Sequence, residues 1–79
     1  MKITLESTDR MVEVNGIPAR VWEGTTERGV PMFALIAHAL IARVAVHKSE
    51  DNSQFEAELT EHKPASDTAL RVFPLRMIL

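Results

Sequence analysis

Asn15-Gly16 stands between Val12-Glu13-Val14 and the run Ile17 to Glu23, and no other pair in the chain restricts the backbone so strongly. A two-residue type I′ turn needs positive φ at both central positions, and Asn-Gly adopts it more readily than almost any other pair. A β-hairpin follows. With the turn at 15 and 16, Val14 faces Ile17 and Val12 faces Ala19, so Val12, Val14, Ile17, Ala19 and Val21 share one side, the expected core. The other side carries Met11, Glu13, Pro18, Arg20 and Trp22. Pro18 lacks the N–H that an interior strand donates, which predicts that the second hairpin strand is an edge, at least near its start.

Upstream, Ile3 and Leu5 alternate with Lys2, Thr4 and Glu6, the period of a half-buried strand. Downstream, Glu23 to Gly29 is a polar connection with a glycine near each end, leading into the longest apolar run, Gly29 to His47. That run holds a tandem block: Ala34-Leu35-Ile36-Ala37-His38 is followed by Ala39-Leu40-Ile41-Ala42-Arg43. Its alanines and leucines, with Pro31 at a first helical position, favour a helix from 31 to 42. Arg43 to His47 alternates instead as a strand does. Periodicity alone leaves both readings open.

Ser49 and Asp51 offer helix-capping oxygens, Gln54 follows Asp51 by three, and Phe55 and Leu59 fall one turn apart, which predicts an amphipathic helix over 51–63 ended by Pro64. Residues 64–68 read as a loop with its own capping residues, opening a helical turn through Leu70. At the end, Phe73, Leu75, Met77 and Leu79 share a face, so a docked last strand is expected.

Seventy-nine residues make one domain, 1–79, whose buried area only narrowly exceeds the entropy it must offset, and this keeps self-association open. Nine basic and eleven acidic side chains give a net charge of −2, which provides no electrostatic footprint for nucleic acid or an acidic membrane. The absence of cysteine excludes disulfides and thiolate metal sites and fits a reducing compartment. The N-terminus alternates too early in polarity for a signal peptide, and the apolar run is too short and too charged to span a bilayer. A cytoplasmic protein without membrane contact is expected.

The segment from Asn15 to Gly24, then Arg43-Val44-Ala45-Val46, Phe55-Glu56-Ala57-Glu58-Leu59 and the closing Phe73 to Leu79 resemble a family of small uncharacterised proteins encoded by tailed phages and prophages. The resemblance spans most of the chain, and its most specific parts are the hairpin and the C-terminal motif. That family has no assigned activity, so the resemblance implies a genomic context and a host-cell location more than a mechanism. Its members have roughly five fewer residues between the positions matching Gly29 and Arg43, the size of the repeated block, and an odd insertion inside a strand would reverse its faces. The resulting expectation is a strand from Leu40 to His47, with residues 31–39 open between strand, bulge and helix.

No catalytic set emerges. His38, His47 and His62 have no metal-ligand spacing, and Glu58 with His62 reads more plainly as a surface helix pair than as two metal ligands. His47 with Glu50 lacks a neighbouring nucleophile. Gly16, Gly24 and Gly29 are isolated and form no phosphate loop. Neither metal, cofactor nor enzyme activity is expected. Glu50, Asp51, Glu56, Glu58 and Glu61 form an acidic group able to imitate the phosphates of a duplex, although a solvated helix face explains them as well. Trp22, beside Arg20 and Met11, has the composition of an interface anchor; the plainer alternative is that the 51–63 helix buries it against Phe55.

The sequence thus predicts an α+β fold, a small antiparallel sheet of four to five strands with one amphipathic helix packed on it. The expected role is a non-enzymatic phage-type accessory protein that binds another protein, with a host defence system such as CRISPR as the suggested target. Its expected interface is Met11, Arg20, Trp22, Glu56, Glu58 and Glu61. The alternatives are a phage structural or assembly protein, with homodimerisation through the edge of Ile17–Glu23 or of the last strand. Less favoured is a nucleic-acid-binding regulator using Arg20, Arg28, Arg43, Lys48, Arg71 and Arg76.

Overall fold

The computed structural model describes residues 1–37, 40, 44–74 and 76–77. Its hairpin has the expected turn: Asn15 and Gly16 take φ of 50° and 84°. On either side run β1 (Ile3–Val14) and β2 (Ile17–Thr26), with Val14 opposite Ile17 and Val12 opposite Ala19 as the turn dictates. The alternating N-terminus and the first hairpin strand are therefore one strand. A bulge separates its halves. Ser7 faces Trp22 and Met11 faces Arg20, so Thr8, Asp9 and Arg10 stand opposite Val21 alone. Because the excess is even, the same side chains stay on the same face beyond it.

The third strand, β3 (Pro31–Ala37), pairs antiparallel with β2 from Ala19↔Ala37 to Thr25↔Pro31. Thus β2 is interior from Ala19 onward, and the edge that Pro18 suggested does not extend beyond its start. The described pairing begins one residue past Pro18, so its missing N–H costs no described ladder bond. In β3 tertiary pairing overrides the helix propensity of the alanines and leucines. The first copy of the tandem block, Ala34 to Ala37, is strand, whereas Leu40, the one described residue of the second copy, is helical. The strand expected from Leu40 to His47 is not formed at Val44 to His47; residues 41–43 lie outside the described ones.

A short 3₁₀ turn, Ser49–Asp51, leads into α1 (Asn52–Glu58), shorter than the predicted 51–63 helix. The capping expected of Asp51 does not occur. Asp51 ends the 3₁₀ turn in a helical conformation (φ −86°, ψ −4°) instead of the extended one a capping residue takes, and its side chain makes no cap bond. After α1 the chain extends, and Lys63 bridges in parallel to Thr8. Lys63 N–H donates to Ser7 O at 3.1 Å and Asp9 N–H to Lys63 O at 2.8 Å, so this segment fills the backbone gap left by the bulge.

The predicted second capping site is realised as a full helix, α2 (Asp67–Val72), with Ser66 Oγ accepting from Ala69 N–H at 3.1 Å. Its Ala69 lies with Val12, Ala19 and Val21 in the buried core, and Val14, Phe33, Leu35, Ala65 and Phe73 pack around them. Ile17, although on the same side, is 56% exposed, because it borders the turn while the covering residues gather further along β2. Phe73 meets Phe33 edge to face, with ring centroids 5.1 Å apart. Arg10 Nη2 donates to the Phe73 carbonyl at 3.0 Å and ties the end of α2 to the bulge.

The last strand, β4 (Arg76–Met77), pairs with Glu13 and Val14 of β1 in parallel, and the strand order is β3-β2-β1-β4. Residues 75, 78 and 79 of the expected terminal strand lie outside the described ones. The fold is α+β: three antiparallel strands, a two-residue parallel addition, and a helix on each face in place of the single packed helix expected.

Candidate functional site

Alternation divides the sheet cleanly. Ala19, Val21 and Glu23 of β2, with Leu35 and Phe33 of β3 opposite the last two, face α2; Arg20, Trp22 and Gly24 face the other way. On that second face Met11 is paired with Arg20 and Ser7 with Trp22. The face is covered by α1. Trp22, Ile36, Leu40, Val44, Phe55 and Leu59 line an apolar cavity of about 230 Å³ between α1 and the sheet. A second cleft, of about 510 Å³, opens beside it and is lined by Ser7, Trp22, Glu58, Glu61, His62 and Lys63 together with Leu5 and Glu6.

Trp22 therefore lies beneath the helix, as the plainer reading of the sequence had it, while remaining only half-buried. Its Nε1 is buried and has no hydrogen-bond partner among the described residues. Such a donor forfeits free energy until something accepts from it. Arg20 is half-buried, and its Nη1 donates to the Thr8 carbonyl at 2.8 Å, which ties it to the bulge. Met11 is half-buried beside it. Glu56, Glu58 and Glu61 are exposed, the first two on α1 and the third just beyond it, and none forms an ion pair among the described residues. Met11, Arg20 and Trp22 thus share one face of the sheet, and Glu58 and Glu61 line a cleft with Trp22.

His62 projects into this side as well. Its Nδ1 lies 2.8 Å from Ser7 Oγ, and Ser7 Oγ is 2.9 Å from the Glu61 carbonyl, which can only accept. Both contacts are satisfied when the Ser7 proton goes to the carbonyl and Nδ1–H donates to Oγ. In that arrangement the ring is no base toward the serine. Burial, followed by the nearby Arg20 charge, pushes the His62 pKa below its usual 6.5, while Asp9 partly opposes this. Among the described residues no group of three or more potential metal ligands comes together.

A cluster that sequence reasoning missed sits on the opposite face. Glu23 follows Val21 on the core side and is only 9% exposed. Ser66 Oγ donates to its Oε1, and Lys63 Nζ stands 3.2 Å from its Oε2. Burial alone would raise its pKa, but the bonds from Ser66 and Lys63 and the Lys63 charge outweigh it and hold the carboxyl below 4.5. Lys63 also reaches Glu6 at 3.9 Å. The cluster latches the 63–66 segment to β2. One sign for it was present in the sequence, since the hairpin register already places Glu23 in line with Val21.

These two groups set a pH dependence of the same sign. The unfolded chain takes up a proton at His62 below 6.5 and at Glu23 below 4.5 before the folded chain does. Stability therefore falls as pH falls, first below 6.5 and then again below 4.5. Urea unfolding across that range checks this, and His62→Gln should remove the first stage while leaving the second. A stability that rises on acidification through the first stage would contradict the placement of His62.

Comparison with family models, characterised proteins and solved structures gives no match for this chain. No helix among the described residues is long and apolar enough to cross a membrane.

Proposed function

We propose that the chain is a non-catalytic accessory protein of the phage type that binds another protein through the α1 side of its sheet. The observation that supports this most is the arrangement there: Glu58 and Glu61, which like Glu56 on α1 are exposed and form no ion pair among the described residues, line a cleft together with Trp22, whose Nε1 is buried without a hydrogen-bond partner. Exposed carboxylates with no ion pair among the described residues favour a basic surface, because charge complementarity speeds encounter and rejects acidic competitors. Nucleic-acid-handling proteins present such surfaces. In a phage setting the partner class is a host defence effector, of which a CRISPR effector is one kind, and the protein acts inside the host cell.

The test has two arms. Expressed in a host with an active CRISPR system, the protein should restore plating of a targeted phage, and the purified effector should bind it with a steep salt dependence. Replacing Glu56, Glu58 and Glu61 together by glutamine should weaken that binding by about tenfold or more while leaving the unfolding midpoint unchanged. Absence of both rescue and binding would overturn the defence reading; binding indifferent to the three substitutions would overturn the surface. A second reading, a particle-assembly protein, is favoured by the bare strand edge described below, and cofractionation with virions would select it.

A further inference from the structure

The two long edges of the sheet are treated very differently. The outer edge of β1 is closed by the Lys63 bridge at Thr8 and by β4 at Glu13 and Val14. Among the described residues nothing pairs with the outer edge of β3. We infer that this edge joins the same edge of a second copy, so that two sheets become one across a twofold axis at Leu35. The inference does not rest on the proposed function.

Which backbone groups β3 offers follows from the hairpin. In a two-residue turn Val14 and Ile17 exchange both backbone bonds, so alternate residues of β2 from Ile17 onward turn their N–H and C=O toward β1. Two contacts agree: Val21 O accepts from Thr8 Oγ1 on the β1 side, and Thr26 N–H donates to Val30 O on the β3 side. Arg20, Trp22 and Gly24 thus face β3, and their partners Ile36, Ala34 and Met32 are bonded inward. The outward groups belong to Pro31, Phe33, Leu35 and Ala37. Only Pro31, at the start, lacks a donor there.

Among the described residues, Pro31 at its start is the one feature of β3 that usually protects an edge. From Gly29 to Ala37 there is no charged side chain, and β3 is seven residues long with no proline after its first. A strand of that kind invites pairing. Self-pairing suits it in one register. With Leu35 on the axis, Phe33 of one copy faces Ala37 of the other and Ala34 faces Ile36, so these bulky side chains meet small ones, while the two Leu35 side chains meet each other at the axis. A shift that places Ala34 on the axis instead sets Phe33 against Leu35 and brings the donorless Pro31 into the ladder. Phe33 and Leu35 pack only partly buried against the core, so a partner strand would extend that core across the axis.

Sedimentation of the full chain up to millimolar concentration should show a concentration-dependent rise toward twice its 8.8 kDa mass. In the same samples the amides of Phe33, Leu35 and Ala37 should exchange more slowly as the dimer fills. A synthetic full-length chain N-methylated at Leu35 loses an outward donor and none of the bonds to β2, so its monomer should retain the wild-type circular dichroism. Its dimerisation should weaken by about tenfold or more. A strictly monomeric wild type, or a dimer unaffected by that methyl group, would overturn the inference.

Discussion

Gly24→Ala should cost about 4 kcal/mol or more, enough to leave much of a small domain unfolded without denaturant. A Cβ at this position would lie 1.8 Å from the Thr4 carbonyl oxygen, 2.8 Å from its carbon and 3.0 Å from Leu5 Cα. All three are backbone atoms of β1. They cannot move aside without opening the Thr4↔Thr25 and Leu5↔Gly24 pairs that hold the N-terminal half of the sheet. Gly29→Ala is the informative control, because Gly29 has a φ of 84° but nothing within 4 Å of the added carbon. Its cost should be only the dihedral strain, about 1 to 2 kcal/mol. Urea unfolding of the two variants separates steric exclusion from backbone preference, and equal losses would contradict the close approach of β1 to Gly24.

Thr8→Val should lose about 2 to 3 kcal/mol although it conserves shape and stays inside a buried site. Thr8 is 0% exposed. Its hydroxyl donates to Val21 O at 2.6 Å and accepts from Arg10 N–H at 3.3 Å, across the place where the bulge interrupts the ladder. A valine leaves both groups without that partner, which is costlier than losing the bonds alone. Thr8→Ser, retaining the hydroxyl and deleting a methyl, should lose only about 1 kcal/mol. Should serine prove the more damaging of the two in thermal or urea unfolding, the site is held by packing and the bulge has another clasp.

The parts of this fold that could be read from the sequence are those fixed by local chemistry. Asn15-Gly16 dictates a turn, the turn dictates a register, and the register places Val12, Ala19 and Val21 inside. It also places Trp22 with Met11 and Arg20, as found. Phe55 and Leu59 reveal the inner side of α1 through their spacing, and Ser66 marks the start of α2. What stayed hidden depends on distant partners. The bulge at Thr8 to Arg10 makes one strand look like two, and its stabilising contacts come from Lys63 and Phe73.

The tandem alanine-leucine block misleads for a related reason. Its residues favour a helix locally, yet the first copy is drawn into the sheet because the β3 side of β2 offers a ladder, which makes β2 interior from Ala19 onward. Glu23 illustrates the same limit at the level of chemistry. Its inward direction was implied by alternation, but a carboxylate there is tolerable only because Ser66, 43 residues away, and Lys63 reach it. Of the candidate site, what was legible was the common sheet face of Met11, Arg20 and Trp22 and the exposure of Glu56, Glu58 and Glu61. The position of α1 over Trp22 was one of two open alternatives.

Every assignment of a side chain to one face or the other depends on the registration of three strands. Proton–proton nuclear Overhauser contacts between α-hydrogens measure it directly, because in an antiparallel sheet they are strong only across pairs that are not hydrogen-bonded. Strong contacts are expected for Met11 with Arg20, Val21 with Leu35 and Glu23 with Phe33. Contacts displaced by one residue, such as Arg20 with Leu35, would move Trp22 to the other face and contradict the account.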